Sequence, residues 1–159
     1  MHDTIYLSKN GCETIVSSEI FERILVPVDS SISAMNAAKK AIALAKKLHL
    51  PLLSMFVIDH SSFHKLFSSN NRYKMMTAES EEQAQKVLNE IEEISNKKNI
   101  KVNTMIVHGN PVQEIIKESQ ENDLIIMGAK GEQSLDTILL GSVSENVIHY
   151  SNATVMIVK

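Results

Sequence analysis

The sequence predicts a single doubly wound, Rossmann-like α/β domain with a five-stranded, mostly parallel sheet and helices on both faces. Three observations lead there. Short apolar runs alternate with segments whose apolar residues recur at helical spacing, in the order β-α-β-α-β-α-β-α-β. The runs are apolar throughout rather than strictly alternating, as expected of strands covered on both faces. Cap and turn residues stand where one element hands over to the next. A length of 159 residues suits one domain with a sizeable core and is short for two.

Residues 1–20 are mixed and polar without a sustained period, and read as an N-terminal extension or disordered arm before a domain spanning 21–159. Arg23-Ile-Leu-Val-Pro-Val28 is the first strand, closed by Asp29-Ser30-Ser31, three residue types that cap helices. Ala34, Ala37, Ala38, Ala41, Ile42, Ala45 and Leu48 form one face of a first helix over Ser33–Leu48, and its alanines allow close approach to a sheet. Leu52–Ile58 is the second strand. The polar stretch Asp59–Thr77 reads as a long loop or a partly helical excursion. A second helix follows over Glu79–Lys98, with Ala84, Val87, Leu88, Ile91 and Ile94 on one face. Lys101–Val107 is the third strand. Gly109-Asn110-Pro111 closes it and opens a helix running to about Gln120, with Pro111 in the first turn. Asp123–Met127 is the fourth strand, Ser142–Tyr150 the last helix and Ala153–Val158 the fifth strand.

Composition excludes several functional classes. Hydrophobic residues make up 43% and charged residues 22%, the balance of an ordinary globular chain. The net charge of −3 supplies no general attraction to nucleic acid. No apolar run approaches the roughly 18–20 residues that cross a bilayer, so no membrane association is expected. The start of the chain lacks the basic-then-apolar pattern of a secretory signal. A single cysteine, Cys12, rules out an internal disulfide. A cytoplasmic location is the expectation that remains.

Chemistry concentrates between the fourth strand and the last helix, in Gly128-Ala-Lys-Gly131 and, after nine residues, Gly141-Ser142-Val-Ser144. A strand's carboxyl end and a helix's amino end both leave backbone N–H groups unpaired, and the latter carries about half a positive charge. Glycine lets the main chain approach a phosphate closely. Ser142 and Ser144 add hydroxyls for phosphate oxygens or a metal's coordination shell. The spacing is neither that of the P-loop nor that of the dinucleotide fingerprint, both of which follow the first strand.

The ordered set of motifs resembles the ATP-binding universal stress proteins. It comprises Ile24-Leu-Val-Pro-Val-Asp29, Phe56-Val-Ile-Asp59, Val107-x-Gly109-x-Pro111, the glycine loop, Leu139-Leu-Gly-Ser-Val-Ser-Glu-Asn-Val147 and Val155-Met-Ile-Val158, and it covers residues 22–159. The resemblance implies ATP as ligand. Pro27, Val28 and Asp29 would line the adenine and ribose side, with Val57 contributing through its backbone. Met127 and Gly128 would border the ribose. Gly131, Gly141, Ser142, Val143 and Ser144 would hold the phosphates, bridged by Mg²⁺ with Ser142 as the protein's candidate contribution. Lys130 occupies a variable position within the loop. The resemblance also implies a homodimer through 153–158 and a nucleotide-dependent regulatory role toward an unidentified protein partner.

Plainer readings compete at several positions. Gly141-Ser142-x-x-Glu145 is also a complete capping box, with Ser142 as cap and Glu145 reaching back. Asp29 reads equally as the N-cap of the first helix. His60 and His108 read as solvated loop histidines near the cleft. The histidines show no zinc-ligand spacing. Arginine is confined to Arg23 and Arg72, and no nucleophile–base set can be named, so ATP hydrolysis is expected to be slow or partner-dependent.

Overall fold

The computed structural model describes residues 20–60, 70–130 and 140–159, with backbone alone for 70–73. The expected extension over 1–20 lies outside the described residues, apart from Ile20. In chain order the elements are β1 (Arg23–Val28), α1 (Ile32–Leu48), β2 (Leu52–Ile58), α2 (Asn70–Lys97), β3 (Val102–His108), α3 (Pro111–Glu118), β4 (Asp123–Gly128), α4 (Ser142–Tyr150) and β5 (Thr154–Val158). The sheet order is β3-β2-β1-β4-β5, and every pairing is parallel.

Alternate residues of each strand feed two separate cores, as the pleat requires. On one face Ile24, Val26, Leu52, Phe56 and Ile58 pack with the alanine stripe of α1 and with Ala84, Leu88 and Ile91 of α2. On the other, Leu25, Met55, Ile125 and Met127 pack with Ile115 of α3 and Val147 of α4. Successive connections run outward from β1 to β3, and then α3 carries the chain back across to β4. The strand order therefore reverses between β1 and β4, and the crevice outside their carboxyl ends is where such sheets hold ligands.

Local chemistry sets the helix ends, and two expectations need correction. Ser31, not Asp29, is the N-cap of α1: its hydroxyl accepts from the Ala34 N–H. Asp29 instead makes an Asx turn, its Oδ1 accepting from the Ser31 N–H at 2.9 Å. The second helix begins at Asn70, not Glu79, so of the two readings of Asp59–Thr77 the partly helical one holds from Asn70 on. Its buried stripe starts only at Ala84, and Met75 in its first turns is 65% exposed, so no apolar period marks that part in the sequence. Straight-chain residues such as Lys74, Met75 and Met76 sustain the helix by propensity instead. Asn110 caps α3 through its side chain, with Pro111 in the first turn as expected.

At the amino end of the sheet, Arg23 and Asp123 lie opposite one another on β1 and β4. The guanidinium forks onto both carboxylate oxygens at 3.1 and 2.6 Å, and also bonds the Glu118 carboxylate and carbonyl, each at 2.9 Å. Hydrogen bonding to Asp123, against the penalty of burial and with help from Glu118, raises the Arg23 pKa further above its usual value.

Candidate functional site

Gly128 ends β4 where α1 begins. A Cβ there would stand 2.6 Å from Ser33 Oγ, 2.7 Å from Ser33 C and 2.8 Å from Ala34 N, closer than real side chains approach. Glycine is thus required so that the amino end of α1 can lie against the end of the strand. Hydroxyls of α1 and its cap then hold the next residues. Ser31 Oγ donates to the Lys130 carbonyl at 3.2 Å, and Ser33 Oγ accepts from the Lys130 N–H at 3.4 Å. The chain leaves at Lys130 and returns at Leu140. Gly131 lies outside the described residues.

The described residues on either side of 131–139 are stitched together. The Gly141 N–H donates to the Ala129 carbonyl at 2.7 Å, and Ser144 Oγ donates to the Gly128 carbonyl at 2.8 Å. The Ala129 N–H in turn donates to Val158 of β5 at 2.8 Å. The amino end of α4 is thereby fixed beside the carboxyl end of β4.

That helix end is not closed by a capping box. Gly141 is the N-cap, with ordinary extended backbone (φ −66°, ψ 147°), and among the described residues no side chain caps the helix. Ser142 is the first helical residue, and Glu145 is exposed, its N–H donating to the Gly141 carbonyl in the first intrahelical bond. The N–H groups of Ser142, Val143 and Ser144 precede that bond and have no acceptor among the described residues. Ser142 is exposed, whereas Ser144 is buried and its hydroxyl proton is committed to Gly128.

The other expected site residues divide by strand position. Asp29, Gly128, Lys130, Gly141, Ser142, Val143 and Ser144 come together at the β1/β4 mouth. Pro27 and Val28 are buried at the end of β1, with the Val28 side chain in the core under α1 and α2. The Met127 side chain is buried in the opposite core, so only its backbone can border a ligand. Val57 is half-buried one strand away, on β2. Arg23 is spent at the far end of β1, and a strand of six residues spans roughly 17–20 Å. Among the described residues, no three His, Cys, Asp or Glu side chains cluster as a metal site.

Two residues were underrated by sequence reasoning. His60 and His108 are not separately solvated: they form a 2.6 Å ring-to-ring hydrogen bond at the carboxyl ends of β2 and β3. Because they lie 48 positions apart in the chain, no local spacing signals the pair.

The family model of the universal stress proteins matches residues 20–159. Universal stress protein MJ0531 of Methanocaldococcus jannaschii is 32% identical over 142 residues, covering 88% of this chain and 83% of its own length. The solved structure of protein MJ0577, from the same organism, superposes with a TM-score of 0.75 at 33% identity, covering 88% of this chain and 96% of that one. More distant structures share the fold: a universal stress protein solved with cAMP (TM-score 0.62, 21% identity, 87% of this chain and 97% of that one) and one from Archaeoglobus fulgidus solved with dAMP (TM-score 0.61, 19% identity, 88% and 99%). A matching sheet order, a family match over the whole described domain and a loop tied between β4 and α4 agree: this chain belongs to the universal stress protein family.

Proposed function

We propose that this protein binds ATP with Mg²⁺ and acts as a nucleotide-dependent regulatory module with, at most, slow hydrolysis. The observation that carries the reading is the open amino end of α4. Three N–H groups without an acceptor among the described residues stand at the topological switch point, beside glycine-bearing backbone and with no capping carboxylate among those residues. Ser142 Oγ, exposed on the first turn, adds a hydroxyl for a phosphate oxygen or for Mg²⁺. The described residues offer no acidic cage, so the metal would arrive with the phosphates and neutralise their charge. Asp29 and the ends of β1 and β2 would supply the ribose and adenine side. Solved relatives holding cAMP and dAMP support an adenine nucleotide, and make AMP or a cyclic nucleotide the second reading.

Slow turnover follows from what the mouth lacks. Arg23 is fully engaged at the opposite end of the sheet, and the described side chains at the mouth include no base paired with a nucleophile. Turnover by the isolated protein should therefore fall far below the roughly 1–100 s⁻¹ of kinases. Calorimetric titration tests the binding. ATP–Mg²⁺ should bind at about −7 to −9 kcal/mol, more tightly than AMP or cAMP, and a Gly131→Val, Gly141→Val double variant should lose that affinity while remaining folded. Unchanged affinity in the double variant would remove the phosphate-loop assignment.

The proposal includes a homodimer through β5. This edge strand, Thr154–Val158, has no charge and no proline, and Met156 is 38% exposed. An apolar, uncovered edge favours pairing with its own copy about a two-fold axis.

A further inference from the structure

The His60–His108 pair is used by none of the proposed nucleotide contacts. His60 Nε2 and His108 Nδ1 are 2.6 Å apart, and the ring planes lie within 7° of parallel with centroids 4.9 Å apart. That separation is the bond plus one ring radius on either side. The rings are therefore edge to edge in nearly one plane rather than face to face, the geometry of a straight N–H···N hydrogen bond. His108 Nε2 lies 3.4 Å from Glu81 Oε1 on α2. The pair sits where the β2–β3 ladder ends: His108 is opposite Ile58, and the Gly109 N–H donates to the Ile58 carbonyl at 3.1 Å. Two residues along α2 from Glu81, Gln83 Nε2 donates to Ser30 Oγ, in the turn beside Asp29.

We propose that Glu81, His108 and His60 form an acid-opened clasp, which fastens α2 to the carboxyl ends of β2 and β3 and, through Gln83 and Ser30, to the rim of the nucleotide cleft. An N–H···N bond needs one nitrogen without a proton. The bond survives while the pair is neutral or carries a single added proton. When both rings are imidazolium, the facing nitrogens are both donors, and two like charges meet at hydrogen-bond distance. Histidine changes charge between about pH 5 and 8, so acidification through that range drives on the second proton and opens the clasp.

Among the described residues, the surrounding charges do not supply an alternative. On α2, Glu81 faces the outer nitrogen of His108, while Glu82 is paired with Lys86. Asp59 adjoins His60 in the chain. On α3, Glu114 packs beside Gly109 and is paired with Lys117. At 2.6 Å none of these carboxylates can come between the two facing nitrogens to screen a second charge.

The clasp itself is independent of nucleotide; its effect on affinity rests on the function proposed above. Histidine ring ¹⁵N signals and Gly109 amide exchange would be followed by NMR on the full chain, without nucleotide, from pH 7.5 to 5. In the wild type the two rings should titrate in separate steps. Gly109 exchange, corrected for its intrinsic pH dependence, should accelerate about tenfold with the second step. In His60→Ala, His108 should titrate in one step and Gly109 should show no acid step. Two wild-type rings titrating together, or an acid step that survives His60→Ala, overturns the clasp. In a second arm, ATP affinity should fall on acidification about threefold more in the wild type than in His60→Ala. Equal falls in both proteins overturn the coupling to the cleft. If ATP fails to bind at pH 7.5, the nucleotide assignment fails, and the NMR arm still decides the clasp.

Discussion

Arg23 and Asp123 stand a hundred residues apart in the chain and opposite one another in the sheet, and their pairing carries a sharp prediction. Asp123 is only 1% exposed and also accepts from the Gln120 N–H at 3.0 Å, so it cannot turn to water if its partner is lost. Arg23→Met should destabilise the fold by about 3–5 kcal/mol, the cost of a buried charge left unpaired, measured by urea unfolding. A loss within the roughly ±0.5 kcal/mol of a typical surface substitution would show that the bridge is not holding the strand ends. Gly128 makes a second prediction at this scale. Gly128→Ala should cost about 1–3 kcal/mol by overpacking. Removing the hydroxyl with Ser33→Ala should not restore stability, because the backbone atoms Ser33 C and Ala34 N crowd the same space. Full rescue by Ser33→Ala would place the conflict in the hydroxyl alone.

At the scale of elements, α4 sets stability against binding. Its amino end lacks a side-chain cap although a good cap is chemically available. Gly141→Asp should therefore stabilise the protein by about 0.5–1 kcal/mol, through capping and the helix dipole, while weakening ATP binding by placing a carboxylate where the phosphates would sit. Thermal unfolding and calorimetry on one sample check both signs. If affinity is unchanged as stability rises, the phosphates lie elsewhere. The five strands were legible in the sequence because each is a short, largely apolar run, interrupted in β3 by Asn103 and Thr104, and α1 because its alanines recur at helical spacing. The first turns of α2 were not, since from Lys74 to Gln83 no side chain is fully buried and no period is left to read. The choice of Ser31 over Asp29 as cap, and of Gly141 over Ser142, was illegible for another reason: candidate cap residues stand within two positions of one another, and the backbone decides between them. The joining of His60 to His108 depends on which strands become neighbours, which no local pattern states.

For the whole molecule, the order β3-β2-β1-β4-β5 explains how distant segments meet at one mouth. It brings the β1 turn beside the β4 loop, as the alternation of elements implied, and leaves β5 at an edge. The homodimer proposal is checked by light scattering. The wild type should be dimeric at tens of micromolar and Met156→Lys monomeric, while a monomeric wild type under the same conditions, with or without ATP, removes the edge-pairing proposal. The central claim is that phosphates rest on the open end of α4. The most direct measurement is a ¹H–¹⁵N titration that compares ATP–Mg²⁺ with adenosine at the amides of Ser142, Val143 and Ser144. ATP–Mg²⁺ should move these three signals strongly and adenosine should barely move them; three amides that stay in place while the nucleotide binds would contradict the claim.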